Sequence, residues 1–193
     1  MINRNHENIT LRSKWSAKLG ITDITTEEWQ CFNIICFKTI KDNKFIWFQY
    51  RLLNRILGTK EYISKLKISE DPYCNFCNYC IEDIIHLFWE CNAVQLFWNS
   101  LMAWLKTISP INLTLDKRKV LFGFIENSNL AFNKNFILII AKFFIFKCSK
   151  EKRHLNNIEF QSFFLKIYNE QLYLARANCQ FEKFSRVWSM FTF

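Results

Sequence analysis

Turn-forming residues are scarce in this chain, with three Gly and two Pro among 193 residues. Sandwiches and barrels of short strands need a turn about every eight to twelve residues. The shortage excludes them and makes an all-α fold the expectation. Disordered and low-complexity classes are excluded by a surplus: 50% of the residues are hydrophobic, 18% are aromatic, and 21 are Phe. Such a chain buries a large core. Its length suits one domain, or two lobes sharing a core.

Long apolar runs are missing as well. The opening Met1-Ile2-Asn3-Arg4-Asn5-His6-Glu7 is polar, so no secretory signal is expected. The longest apolar stretch, Phe136 to Phe146, is interrupted by Lys142. It falls short of the roughly 20 residues that span a bilayer, and no membrane partner is expected. The chain is therefore placed inside the cell, in cytoplasm or nucleus. In a reducing compartment its eight cysteines read as metal ligands or core residues rather than disulfides.

Acidic residues are outnumbered, 17 against 26 Lys and Arg, for a net charge of +9. The excess is uneven. Residues 1–60 carry ten basic and five acidic groups, 61–120 six and seven, and 121–193 ten and five. A basic balance permits a nucleic-acid or anionic-surface partner, although richness in Lys, Asn, Ile and Phe also follows from an AT-rich genome. Any phosphate contacts would come mainly from the two ends.

Helices are expected near 8–19, 26–38, 43–57, 60–67, 82–89, 92–107, 116–125, 132–153, 157–178 and 181–190, with a cysteine-bearing turn at 71–80. Start signals are Thr26 with Glu27 and Glu28, Thr59 with Glu61, and Asp116. Pro110 breaks the pattern. Residues 1–107 are thus expected to form N-terminal helices with the cysteine region, 108–116 a linker, and 117–193 a C-terminal helical region packed on the first. The 136–146 run is apolar on all sides, as in a helix buried by its neighbours.

The most specific local pattern is Cys74-Asn-Phe-Cys77 followed by His86 and Cys91, or C-x2-C-x8-H-x4-C. A Cys-x-x-Cys turn lets two thiolates reach one ion, and a nearby His and Cys complete the tetrahedron that Zn²⁺ favours. Four protein ligands close the shell, which points to one structural zinc rather than an open catalytic site. Such a site supplies on the order of 10 kcal/mol to folding. Cys80 is a further thiol that competes with Cys77 or sits idle in the loop. The alternative is four unrelated core or surface residues. Cys31, Cys36, Cys148 and Cys179 read as plain core cysteines.

With this cluster in view, the chain resembles the zinc-binding domain found downstream of the reverse transcriptase in LINE-type, non-LTR retrotransposon polyproteins. Trp47-Phe-Gln-Tyr-Arg51-Leu-Leu-Asn-Arg55-Ile-Leu-Gly58-Thr59 is similar to that family's W-x-Q-F/Y-R-x-x-x-R-I-L-G-T segment. Ile85-His86-Leu-Phe-Trp-Glu-Cys91 is similar to its E-H-L-F-W-x-C block, with Ile85 where Glu is usual; Phe97-Trp98 and Leu121-Phe-Gly123 also fit. The resemblance covers about residues 20 to 190. It implies metal roles for Cys74, Cys77, His86 and Cys91, and a part in holding template RNA or target DNA near the polymerase. It also implies the parent reverse-transcriptase domain as a partner. Polymerase chemistry itself is not expected, since that needs an Asp-Asp pair for two metal ions. The chain has five Asp and no two adjacent. A non-catalytic, C-terminal piece of such a polyprotein is the expectation.

On a helix spanning 43–57, Lys44, Arg51 and Arg55 would cluster on one face within about 40°, beside Trp47. Cations beside an aromatic suit phosphates and a stacked base; a solvated amphipathic face is the alternative. Lys117–Lys119 reads as a solvated basic group, and Lys147–Arg153 as the solvated end of a long helix. Two other functions stay open: a zinc-stapled module docking on the polymerase or another protein, and a cysteine hydrolase pairing a free thiol with His86 or His154.

Overall fold

The computed structural model describes residues 4–21 and 23–192, with side chains described from residue 11 onward except at 22, 183, 186 and 193. The elements run α1 (Arg4–Leu19), α2 (Thr26–Thr39), α3 (Asn43–Leu53), α4 (Lys60–Lys65), a π-helical turn (His86–Glu90), α5 (Asn92–Ile108), α6 (Lys117–Phe122), α7 (Asn129–Lys150), α8 (Asn157–Ala177) and α9 (Phe181–Trp188). Among the described residues there is no strand, only an isolated antiparallel bridge between Tyr73 and Ile81. The all-α expectation holds.

Six helices begin on a side chain that accepts a free amide of the first turn: Thr25, Asp42, Thr59, Asp116, Ser128 and Asn156. The α2 cap is Thr25, one residue before the expected Thr26, and closes a capping box with Glu28.

The ends of α3, α4 and α7 fall short of expectation for one shared reason. The helix expected over 43–57 stops at Leu53, where Arg55 N–H donates to the Leu52 carbonyl and Ile56 N–H to that of Arg51. This double bond pattern requires a left-handed residue between, and Arg55 takes it with φ 58°. Trp15 Nε1 donates to the Leu53 carbonyl at 2.8 Å and completes the stop. Lys67 (φ 57°) and Lys152 (φ 52°) end α4 and α7 in the same way. Glycine is the usual residue there, so its absence hides these three ends.

Helix α7 runs through the core, packed on α2, α3, α8, α9 and the π turn. It is the one helix among the described residues long and apolar enough to cross a membrane, yet 14 of its 22 residues are buried inside the fold. Phenylalanines fill the space around it. Phe122 stacks on Phe32 at 4.7 Å and meets Trp15 edge-on at 5.2 Å. Phe164 meets Trp188 at 5.2 Å and Trp104 at 5.7 Å. Each such pair adds about 0.5–1.5 kcal/mol beyond burial. Segment 108–116 carries buried Ile111 and Leu113, and the core is continuous on both sides of it.

Lys142, inside that core, donates from Nζ to Gln49 Oε1 at 2.8 Å and to the Leu121 carbonyl at 3.1 Å. Burial lowers its pKa to about 7, against a smaller opposing pull from the Cys36 thiol.

Candidate metal centre

Residues 71–83 form a tight loop whose backbone aims the first two thiols. Asp71 opens it by accepting Tyr73 N–H at 3.0 Å, and Cys74 N–H donates to the Cys80 carbonyl at 2.8 Å. Asn78 supplies the left-handed residue (φ 61°) that closes the turn after Cys77. Phe76 N–H points at Cys74 Sγ from 3.4 Å.

The second ligand pair depends on the π turn. On an α-helix, side chains five residues apart point about 140° away from each other. Here Cys91 N–H bonds back to the His86 carbonyl at 3.1 Å, five residues earlier, and the wider turn returns Cys91 toward His86. Asp83 Oδ1 holds the start of this turn through His86 N–H at 2.7 Å. Trp98 Nε1 satisfies the Phe88 carbonyl within it at 2.8 Å. The helix expected over 82–89 is therefore a single helical turn continued as π.

One ligand atom from each of Cys74, Cys77, His86 and Cys91 lies within 4.8 Å of all the others. Cys77 Sγ and His86 Nε2 are 3.4 Å apart. A tetrahedral ion with bonds near 2.0–2.3 Å has edges of about 3.3–3.8 Å, so the donor set fits a metal ion with small adjustment. Cys74, Cys91 and His86 are buried and Cys77 is half-buried. Cys80, the expected competitor, lies outside the four; its carbonyl is what the loop uses.

The cluster already divides its protons unequally. The hydrogen bond with Cys91, then burial, pushes Cys74 up to about 12. The same bond lowers Cys91, helped against burial by the Val94 and Ala93 amides at the start of α5. Burial acts to raise Cys77, but the Tyr79 and Cys80 amides lower it. The hydrogen bond that His86 donates to the Cys74 sulfur raises His86 to about 9 against desolvation. Ion binding displaces these protons, since thiolates and neutral imidazole are the ligating forms.

Glu82 ties this unit to the rest of the molecule, a role sequence reasoning missed by treating it as a helix starter. Fully buried, it accepts Lys60 N–H at the start of α4 (3.0 Å) and the Ser149 hydroxyl of α7 (2.6 Å). Asn75 Nδ2 donates to the Ser149 carbonyl at 2.7 Å. Nothing in its spacing marked Glu82, because its partners lie 22 and 67 residues away.

Of the four residues expected at a basic face, the fold gathers three. Lys44, Trp47 and Arg51 line a shallow groove of about 380 Å³ with Phe48, Leu57, Phe143 and Phe146. Trp47 is 58% exposed and Tyr50 braces its ring edge-on at 5.6 Å. Arg55 is separated from them because the helix has ended: its guanidinium lies 5.4 Å from the Trp15 ring and donates to the Lys14 carbonyl. His154, the other histidine considered, is exposed at the edge of a different recess with Phe76, Leu96 and Asn157.

No family model matches the chain, and no curated protein matches it significantly.

Proposed function

We propose that the chain is a non-catalytic, zinc-dependent nucleic-acid-binding domain, with one structural Zn²⁺ on Cys74, Cys77, His86 and Cys91. Three thiolates and an imidazole suit zinc over harder ions, and a full set of four protein ligands leaves no position for substrate. The sequence resemblance to the zinc-binding domain of LINE-type reverse transcriptases supports a role in positioning template RNA or target DNA beside the polymerase. The observation that carries nucleic-acid binding is the groove on α3, where an exposed Trp47 stands between two cations. Arg51 has no carboxylate partner among the described residues, whereas Lys44 is paired with Asp42 at 2.9 Å.

A docking module is the second reading, favoured by one feature. Leu66, Ile68, Tyr73, Tyr79 and Ile81 are all exposed around the cysteine loop. Zinc content and nucleic-acid titration at several salt concentrations separate the two. The proposal expects about one zinc per chain, lost in Cys74→Ser, and affinity that falls steeply with salt. Zinc with no salt-dependent binding turns the assignment to docking; folded protein without zinc removes the metal half.

A further inference from the structure

We propose that the groove between α3 and α7 holds an unpaired nucleotide of a single strand, with the base against Trp47 and flanking phosphates on Lys44, Arg51 and Lys150. This deepens the nucleic-acid reading above and rests on it. Two basic clusters far apart in the sequence meet here. Phe146 of α7 forms part of the groove, and Lys150 Nζ stands 5.4 Å over its ring, so a third cation lies beside a lining residue of the groove. Lys150 makes no ion pair among the described residues, and its nearest acidic influence is the buried Glu82.

The groove's surface chemistry narrows the ligand further. Its lining is aromatic and aliphatic apart from Lys44 and Arg51, and no carboxylate takes part. Phe143 and Phe48, 5.5 Å apart and edge-to-face, are held rigidly by the core beneath. A wall of rings with cations only at the rim matches a flat, uncharged base carried on an anionic backbone. Duplex phosphates would use the cations and leave Trp47 without a partner, because stacked base pairs cover their own faces. An unpaired strand uses both.

The test is equilibrium binding of labelled 12-mers of oligo-U and oligo-dT, and of a duplex of the same length, to the zinc-loaded full chain. Photocrosslinking with 4-thiouridine then locates the contacted peptide. Expected are tighter binding of single strands than duplex and a crosslink within 44–51. Trp47→Leu should weaken binding about tenfold, while Trp47→Phe keeps most of it. Arg51→Ala and Lys150→Ala should each reduce the salt slope by about one. Trp47 is exposed, so unchanged zinc content and circular dichroism will certify its variants as folded. A difference between oligo-U and oligo-dT assigns RNA or DNA. Equal duplex affinity, or Trp47→Leu binding like the parent chain, overturns base insertion and leaves nucleic-acid binding standing. No binding of any strand overturns both.

Discussion

Between Asp71 and Cys91 the chain folds around four side chains able to share one ion, while between Asn129 and Trp188 it folds around rings. In the loop Tyr73, Tyr79 and Ile81 are exposed around buried Cys74, Glu82, His86 and Cys91, while Ile84, Ile85, Leu87 and Phe88 at the π turn join the apolar core. In the body the rings lie inside, with Phe136, Phe144, Phe160 and Phe164 sealed together. The loop thus depends on a few strong, directional interactions and the body on many weak, shape-dependent ones. Loss of one member should be drastic in the first and graded in the second.

The sharpest break of that contrast is metal removal. Cys74→Ser or a chelator should cost on the order of 10 kcal/mol of metal-linked stability. Hydrogen exchange should then rise across 72–91 while 136–146 stays protected. Simultaneous loss in both segments would show the two regions to be one cooperative unit.

Phe122→Ala tests the other side. Its ring contacts Phe32, Trp15 and Trp29, so about 3–5 kcal/mol should be lost. A urea midpoint shift with zinc content unchanged is the expected result; a shift under 1 kcal/mol (about a factor of five) would deny Phe122 its place in the core.

Lys142 should make the body's stability depend on pH. Burial holds it at about 7, below its usual 10.5. Between those values the unfolded chain binds a proton that the folded chain does not. The penalty is in full force below pH 7 and fades as pH rises toward 10.5, so stability should climb by about 1.4 kcal/mol per pH unit in that window. Urea midpoints at pH 7.5 and 9.5 check this against Lys142→Met, where the Lys142 part of the climb is absent. Identical climbs in both proteins would contradict it.

The smallest effect sharpens the account of helix ends. Lys67 is exposed and left-handed at the end of α4, and Lys67→Gly should raise stability by about 1 kcal/mol by relieving that conformation. A loss measured by thermal melting would show that the lysine side chain is needed there.

The starts of α4 and α6 were legible because capping is local: Thr59 and Asp116 bond amides within the next three residues. The gathering of Cys74, Cys77, His86 and Cys91 was legible for the same reason, each pair lying within one turn or loop. The ends of α1, α2, α5 and α8 fell within one residue of expectation, but those of α3, α4 and α7 did not, since Arg55, Lys67 and Lys152 stand where glycine would have announced them. The same defect carried Arg55 onto the wrong face. Glu82 read as the start of a helix and Lys142 as a break in an apolar run, because the groups that satisfy them are contributed by distant helices.

By itself the sequence determined the helical class and the four residues able to share one ion, both consequences of spacing along a short stretch of backbone. Tertiary structure decided the rest. It set where α3 stops, by docking Trp15 on the Leu53 carbonyl. It also gave Lys142 its partner in Gln49, 93 residues away. It also set Lys150 over the ring of Phe146, which lines the groove with Lys44 and Arg51. Spacing governs what neighbours along the chain do, whereas burial and left-handed turns are fixed by packing from elsewhere.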